Sequence, residues 1–246
     1  MEKQRIQKII AQKGFCSRRK AEMLIRLKKV SCNGKIAKLG DLAAFDDLIL
    51  VDGVLLNNKE NKRYIMLNKP TGFVTTTSDE KNRKTVLDLL KGVKERVYPV
   101  GRLDINTSGL LFLTNDGEFA NFVMHPSSNL EKTYRVTVEK KLSSFAIKSL
   151  KEGVLIEGKK TAKCKIKIIS LKEDLSVFLI VLHEGRKRQI RKMVKAVLNC
   201  EVKKLTRLQI GPIKLNGLPK GHYKDFSVKE LELIRKEISS KREKKF

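Results

Sequence analysis

Ile6, Ile9 and Ile10 recur at helical spacing near the start of the chain, and Gly14 follows as a stop signal. Ser17 then stands as an N-cap for a second helix, in which Ala21, Leu24 and Ile25 share a face. A short strand around Val30, an Asn33-Gly34 turn, and the run LILV before Asp52-Gly53 complete a unit of two helices and a small sheet. The polar run NNKENK, Asn57 to Lys62, reads as a linker. From Tyr64 onward the pattern changes to short β-rich stretches: YIML, FVTTT, GLLFLT, TYRVTV, KCKIKII and VFLIVL. Helical segments interrupt them at TVLDLL, EFANFVM, SSFAIKSL and QIRKMVKAVL, and a last helix runs from Val228 to Ile238. Strands and helices mix without regular βαβ alternation, and several strand pairs have gaps of turn length. The fold class is therefore α+β: a small N-terminal unit, then a mixed, mainly antiparallel sheet flanked by helices. The expected bounds are 1–57, a linker at 58–63, the larger domain at 64–238, and a fraying basic tail at 239–246.

Charge adds a partner to this picture. The 246 residues carry 54 Lys+Arg against 27 Asp+Glu, a formal net charge of +27. With 41% hydrophobic residues the chain is a folded protein with a basic surface, and its surplus points to a polyanion. The surplus is spread along the sequence, which favours nucleic acid over a membrane patch. The longest clear apolar run, Val177 to Leu182, is too short to span a bilayer, and MEKQRIQKII lacks the apolar core of a signal peptide. The expectation is a monomeric cytoplasmic protein with no membrane association.

Cofactor chemistry finds no support in the motifs. Cys16, Cys32, Cys164 and Cys200 form no C-x-x-C pair, and His125, His183 and His222 lie far apart, so no metal site is expected. The cysteines read as reduced and buried. No phosphate-cradling glycine loop or dinucleotide fingerprint occurs, so the expected cofactor is none.

The segment YPVGRLDINTSGLLFLTNDG, Tyr98 to Gly117, places Arg102 and Asp104 in a tight polar loop between apolar strands. Such a loop can hold one carboxylate rigidly above a cleft. The same aspartate also suits an Asx turn or a cap, and the residues alone leave both readings open. Arg18, Arg19 and Lys20 follow Ser17 and suit either phosphate contact or a solvated helix face. Arg186, Lys187 and Arg188 form a second basic cluster.

Two resemblances sharpen these readings. FCSRRKAEMLI followed by NGK and LILVDG resembles the αL RNA-binding domain of ribosomal proteins and RNA-modifying enzymes. GRLD-x-x-[ST]-x-G leading into an apolar strand and TNDG resembles the signature of the RsuA/RluB branch of ribosomal RNA pseudouridine synthases. YIMLNKPTGFV, LEKTYRVTV and HEGRKRQIRKM are similar to further motifs of that family, in the same order.

The resemblance implies cofactor-free isomerisation of uridine to pseudouridine in ribosomal RNA. It implies Asp104 as the catalytic carboxylate, Tyr134 as the active-site tyrosine, and Arg191 as a guanidinium paired with the aspartate. Arg102 would contact phosphate or fill the gap left by an extruded base, and Lys69-Pro70 would be structural support. YPVGRLDINTSGLLFLTNDGEFANFVMHPS looks closer to enzymes of the large subunit than of the small one, so large-subunit RNA or an assembly intermediate is the expected partner. On pattern alone, Tyr134 also fits a half-buried strand and Arg191 a phosphate contact. A non-catalytic RNA-binding assembly factor would share the charge and the αL unit, and a base-releasing hydrolase could use the same carboxylate.

Overall fold

The structure, a computed structural model, describes residues 2–56 and 61–243. It divides into two compact units, the first holding the described residues up to Arg63 together with Val93–Val97 and Asn115–Gly117. Its elements are β1 (Gln4–Arg5), α1 (Ile6–Gln12), α2 (Arg18–Arg26), β2 (Val30–Cys32), β3 (Lys35–Ile36), β4 (Leu42–Ala43), β5 (Ile49–Val51) and β6 (Val54–Leu55). The Ser17 hydroxyl caps α2 by accepting from the Lys20 amide, 3.2 Å away. Ile6, Ile9 and Ile10 of α1 and Ala21, Leu24 and Ile25 of α2 form one core with Val30, Ile49 and Val51. Arg18, Arg19 and Lys20 remain exposed on the first turn of α2.

The second unit is built on β7 (Tyr64–Lys69), β8 (Tyr98–Val100), β9 (Ser108–Thr114), β10 (Lys132–Val138), β13 (Lys165–Leu171), β14 (Ser176–Leu182), β15 (Val202–Ile210), β16 (Ile213–Lys214) and β17 (Tyr223–Asp225). A separate hairpin pairs β11 (Leu155–Ile156) with β12 (Lys159–Lys160). The helices are α3 (Gly117–Met124), α4 (Ser144–Glu152), α5 (Gln189–Leu198) and α6 (Val228–Glu243). The large sheet runs β13-β14-β10-β15-β9-β7-β17, with β8 also on β9 and β16 on β15. It is antiparallel except where β15 meets β9.

That exception builds the loop of interest. β9 pairs along one edge with β7, while its other edge takes β8 at Phe112 to Thr114 and β15 at Ser108 and Gly109. Because β15 occupies the place where β8 would continue, the chain between β8 and β9 must leave the sheet plane. Leu110, Leu111, Phe112 and Leu113 are fully buried, which explains why this strand reads as an unbroken apolar run. Each contributes about 1.5–3 kcal/mol of burial free energy, enough to fix the base of the loop firmly.

Several expectations need correction. FVTTT is not a strand; only Val74 makes an isolated bridge, to Thr85, because the Thr75 side chain is engaged with the β8–β9 loop. β15, the longest strand, breaks the apolar alternation with Lys203, Lys204 and Arg207, which hides it in the sequence. α6 continues five residues past Ile238, since SSKRE contains no glycine or proline to stop it. Only Cys16 is buried; Cys32, Cys164 and Cys200 are half-buried free thiols. Part of the expected linker, 58–60, and the end of the tail, 244–246, lie outside the described residues. Among the described residues no helix is long and apolar enough to cross a membrane.

Candidate active site

The β8–β9 connection runs from Gly101 to Thr107 and carries Asp104 half-buried near its middle. Five successive carbonyls of this loop are engaged by the protein. Thr75 Oγ1 donates to Leu103 O at 2.7 Å. Lys69 Nζ donates to Asp104 O at 3.2 Å and to Thr107 O at 2.9 Å. The Gly72 amide donates to Ile105 O at 2.9 Å. Arg191 Nη2 donates to Asn106 O at 2.7 Å.

The ammonium that bonds Asp104 O and Thr107 O, and reaches Ile105 O at 3.5 Å, is fully buried. Lys69 ends β7 with 0% exposure, and its third donor reaches Pro70 O at 3.0 Å. Burial pulls its pKa down to about 8, with the Asp104 charge acting in the opposite sense. An ammonium presents three N–H groups, and here three carbonyls within 3.2 Å receive them.

Against this fixed backbone, the Asp104 carboxylate accepts no hydrogen bond among the described residues. The Asx-turn reading of this residue therefore fails: the turn is closed by backbone, from the Thr107 amide to Asp104 O at 3.0 Å.

Arg191 lies on α5 with 8% exposure. Its Nη1 donates to Val202 O at 3.0 Å, while Nη2 holds Asn106 O, so the guanidinium ties the loop to the first residue of β15. The expected ion pair with Asp104 is not formed, because both terminal nitrogens face carbonyls. The two charges still lie within electrostatic reach. Burial and the Arg188 charge lower the Arg191 pKa, while Asp104 and Glu201 raise it.

Tyr134 is half-buried on β10, opposite Arg207 of β15 and Ile180 of β14, and packs against the core that includes Val136, Phe178 and Met193. No hydrogen bond joins it to Asp104 or Arg191 among the described residues. Arg102 and Lys187 are exposed. Arg186 departs from expectation. Its two terminal nitrogens donate to Lys159 O at 3.0 Å and Lys160 O at 2.7 Å, so it braces the β11–β12 hairpin.

Arg207 escaped the sequence reading, and Gly109 was read only as the residue that opens the apolar strand. Arg207 is a 3% exposed guanidinium whose Nε donates to Leu110 O at 2.7 Å, while its Nη2 is buried with no partner among the described residues. Gly109 has φ +109°, and a Cβ there would stand 2.1 Å from the Arg207 carbonyl oxygen. The final glycine of the GRLD-x-x-[ST]-x-G run marked this position without showing the close strand approach. Among the described residues no three His, Cys, Asp or Glu side chains converge as a metal cage.

Comparison with known proteins agrees with this architecture. The sequence profile of the RNA pseudouridylate synthase family matches residues 63–196, and that of the S4 domain matches residues 4–49. The chain is 42% identical over 235 residues to the ribosomal large subunit pseudouridine synthase B of Bacillus subtilis (strain 168), spanning 94% of this chain and 96% of that protein. It is 40% identical over 229 residues to the dual-specificity RNA pseudouridine synthase RluF of Escherichia coli (strain K12), spanning 92% and 77%. A crystal structure of a pseudouridylate synthase superposes with a TM-score of 0.68 at 30% identity, over 94% of this chain and 99% of that one.

Proposed function

The chain belongs to the RNA pseudouridylate synthase family, and on that premise we propose that it isomerises a uridine of large-subunit ribosomal RNA, with Asp104 as the nucleophile and no cofactor. The bond between N1 of uracil and C1′ of the ribose breaks, the base turns, and C5 bonds to C1′. A proton leaves C5 and one is taken up at N1, so the product is an isomer and no oxidant or energy source is consumed. The choice of large-subunit RNA is supported by the activity for which the Bacillus subtilis relative is named.

The observation that carries the reading is the contrast at Asp104: five carbonyls from Leu103 to Thr107 are pinned, yet the carboxylate itself is left unbonded among the described residues. A residue that served only the fold would use its side chain. A nucleophile needs a fixed backbone and a free oxygen. Arg191 lies within electrostatic reach of that carboxylate and so can offset negative charge in the site. Tyr134 offers a flat ring for stacking on the turned-out uracil and a hydroxyl for proton transfer. The exposed Arg18, Arg19, Lys20, Arg102 and Lys187 supply backbone contacts that raise affinity without reading sequence.

The test is Asp104→Asn with tritium release from C5-labelled uridine in transcribed large-subunit RNA. The variant binds RNA as the parent does and releases no tritium. Turnover clearly above background removes Asp104 as nucleophile, and free uracil with an abasic site would point to a hydrolase.

A further inference from the structure

On the side of α5 that carries Arg188, Lys192 and Lys195, an open trough of about 430 Å³ runs between the helix and the tip of the β11–β12 hairpin. Neither Asp104 nor Tyr134 lines it, although Arg191 forms part of its wall. Its volume falls within the ~300–1,000 Å³ that takes a small ligand or a fragment of a larger one. Four cations face two carboxylates there.

Two of those cations are already neutralised. Lys192 pairs with Glu157 at 2.6 Å and Lys195 with Glu201 at 2.6 Å. The Arg188 side chain is exposed and makes no hydrogen bond or ion pair among the described residues, with Glu201 within electrostatic reach of it. Arg191 is more than nine-tenths buried, and its Nε is a donor with no acceptor among the described residues, while both Nη atoms meet only neutral carbonyls. Two guanidinium groups thus stand close enough to repel each other. An anion between them would turn that repulsion into attraction.

We propose that this trough is a subsite for one RNA backbone phosphate, seated on Arg188 with Arg191 behind it, and with its ribose against Ile156 and Ala196. The identification of the anion as RNA phosphate rests on the isomerase reading above; the presence of an anion site does not. Arg191 joins the two regions, because the same guanidinium that backs the trough holds Asn106 of the Asp104 loop. A phosphate seated here therefore belongs to the strand next to the turned-out uridine. It also stabilises the charged arginine that keeps the loop in place.

The experiment compares the full-length protein with Arg188→Asn and with Lys203→Gln, the latter an exposed lysine on β15 that pairs with Glu139 and does not line the trough. Asparagine accepts the left-handed backbone of position 188, φ 54°, so the start of α5 is retained, and circular dichroism verifies this. Binding to transcribed large-subunit RNA is followed as salt is raised. Removing one cation that neutralises a phosphate flattens the slope of log K against log salt by ~0.7–0.9. Arg188→Asn is expected to flatten it by that amount and to raise KM about tenfold with kcat within about twofold, as removal of uniform binding does. Lys203→Gln is expected to leave both measures near those of the parent.

Equal slopes and equal KM in Arg188→Asn and the parent overturn the subsite. So does an equal drop in both variants, which would mean that only overall charge matters. If the parent forms no pseudouridine in this RNA, the isomerase assignment falls, while the slope comparison still judges the anion site by itself.

Discussion

Lys69 Nζ lies 3.2 Å from the backbone carbonyl of Asp104, although the two residues are 35 positions apart in the chain. One fully buried ammonium thus sets the backbone from which the candidate nucleophile projects. Lys69→Met keeps the bulk and removes the three donors; Asp104 O retains the Thr107 amide, while a buried carbonyl left with no other partner costs about 1–3 kcal/mol. The expected result is a folded protein with a lowered Tm, RNA affinity within about twofold, and kcat reduced about 100-fold by displacement of the loop. Unchanged kcat in a folded variant would show that the loop holds its shape without the ammonium.

The same group predicts a pH response with two opposite signs. Its folded pKa, about 8, lies below its ordinary value of 10.5, so between these values the unfolded chain binds the proton more strongly. This group's contribution to folding stability therefore rises with pH across that window and is most unfavourable below it. Loop order moves the other way, because a neutral amine offers two N–H groups to three carbonyls. Turnover is expected to decline as pH passes about 8 while Tm shows no parallel fall from this group. A level kcat through that pH assigns the loop's order to its other contacts.

Arg191→Lys is expected to lose most activity, on geometric grounds. The two Nη atoms reach carbonyls on different elements, Asn106 O in the loop and Val202 O in β15. A lysine keeps the charge but lacks the planar fork that spans both. kcat should fall about 100-fold or more, the scale of a misplaced catalytic group. Near-normal turnover would reduce the role of Arg191 to its charge alone.

Gly109→Ala should prevent the second unit from folding normally. The added carbon would stand 2.1 Å from the Arg207 carbonyl oxygen and 2.6 Å from its amide nitrogen, and φ +109° is strained for any larger residue. Backbone on both sides leaves nothing flexible to yield. Soluble expression and thermal melting measure this, and a parent-like Tm would contradict the observed strand approach.

Legibility in the sequence followed the strength of local pattern. α1, α2 and the apolar β9 are visible because their burial repeats at a helical period or fills a continuous run. β15 was hidden because its buried residues, Val202, Leu205, Arg207 and Ile210, include a charge and follow no simple alternation. The β propensity of FVTTT misled, since the Thr75 hydroxyl serves a loop carbonyl and no ladder forms there. The loop bearing Asp104 was legible, whereas the means of holding it was not. Residue letters show that Lys69 exists, and only the fold shows which carbonyls gather around it. Likewise the Arg191 fork was expected to face a carboxylate and instead faces two peptide groups.

The parallel pairing of β9 with β15 has a temporal consequence during synthesis. A nascent chain that has produced Asp104 still lacks Arg191, 85 positions beyond Asn106, and the strand that flanks Gly109, 97 positions beyond Ser108 and Leu110. The loop that carries Asp104 therefore cannot take its final form until most of the polypeptide has emerged from the ribosome. Truncated products that stop short of Val202 would retain the basic surface of α2 yet remain inert, occupying a transcript without altering it.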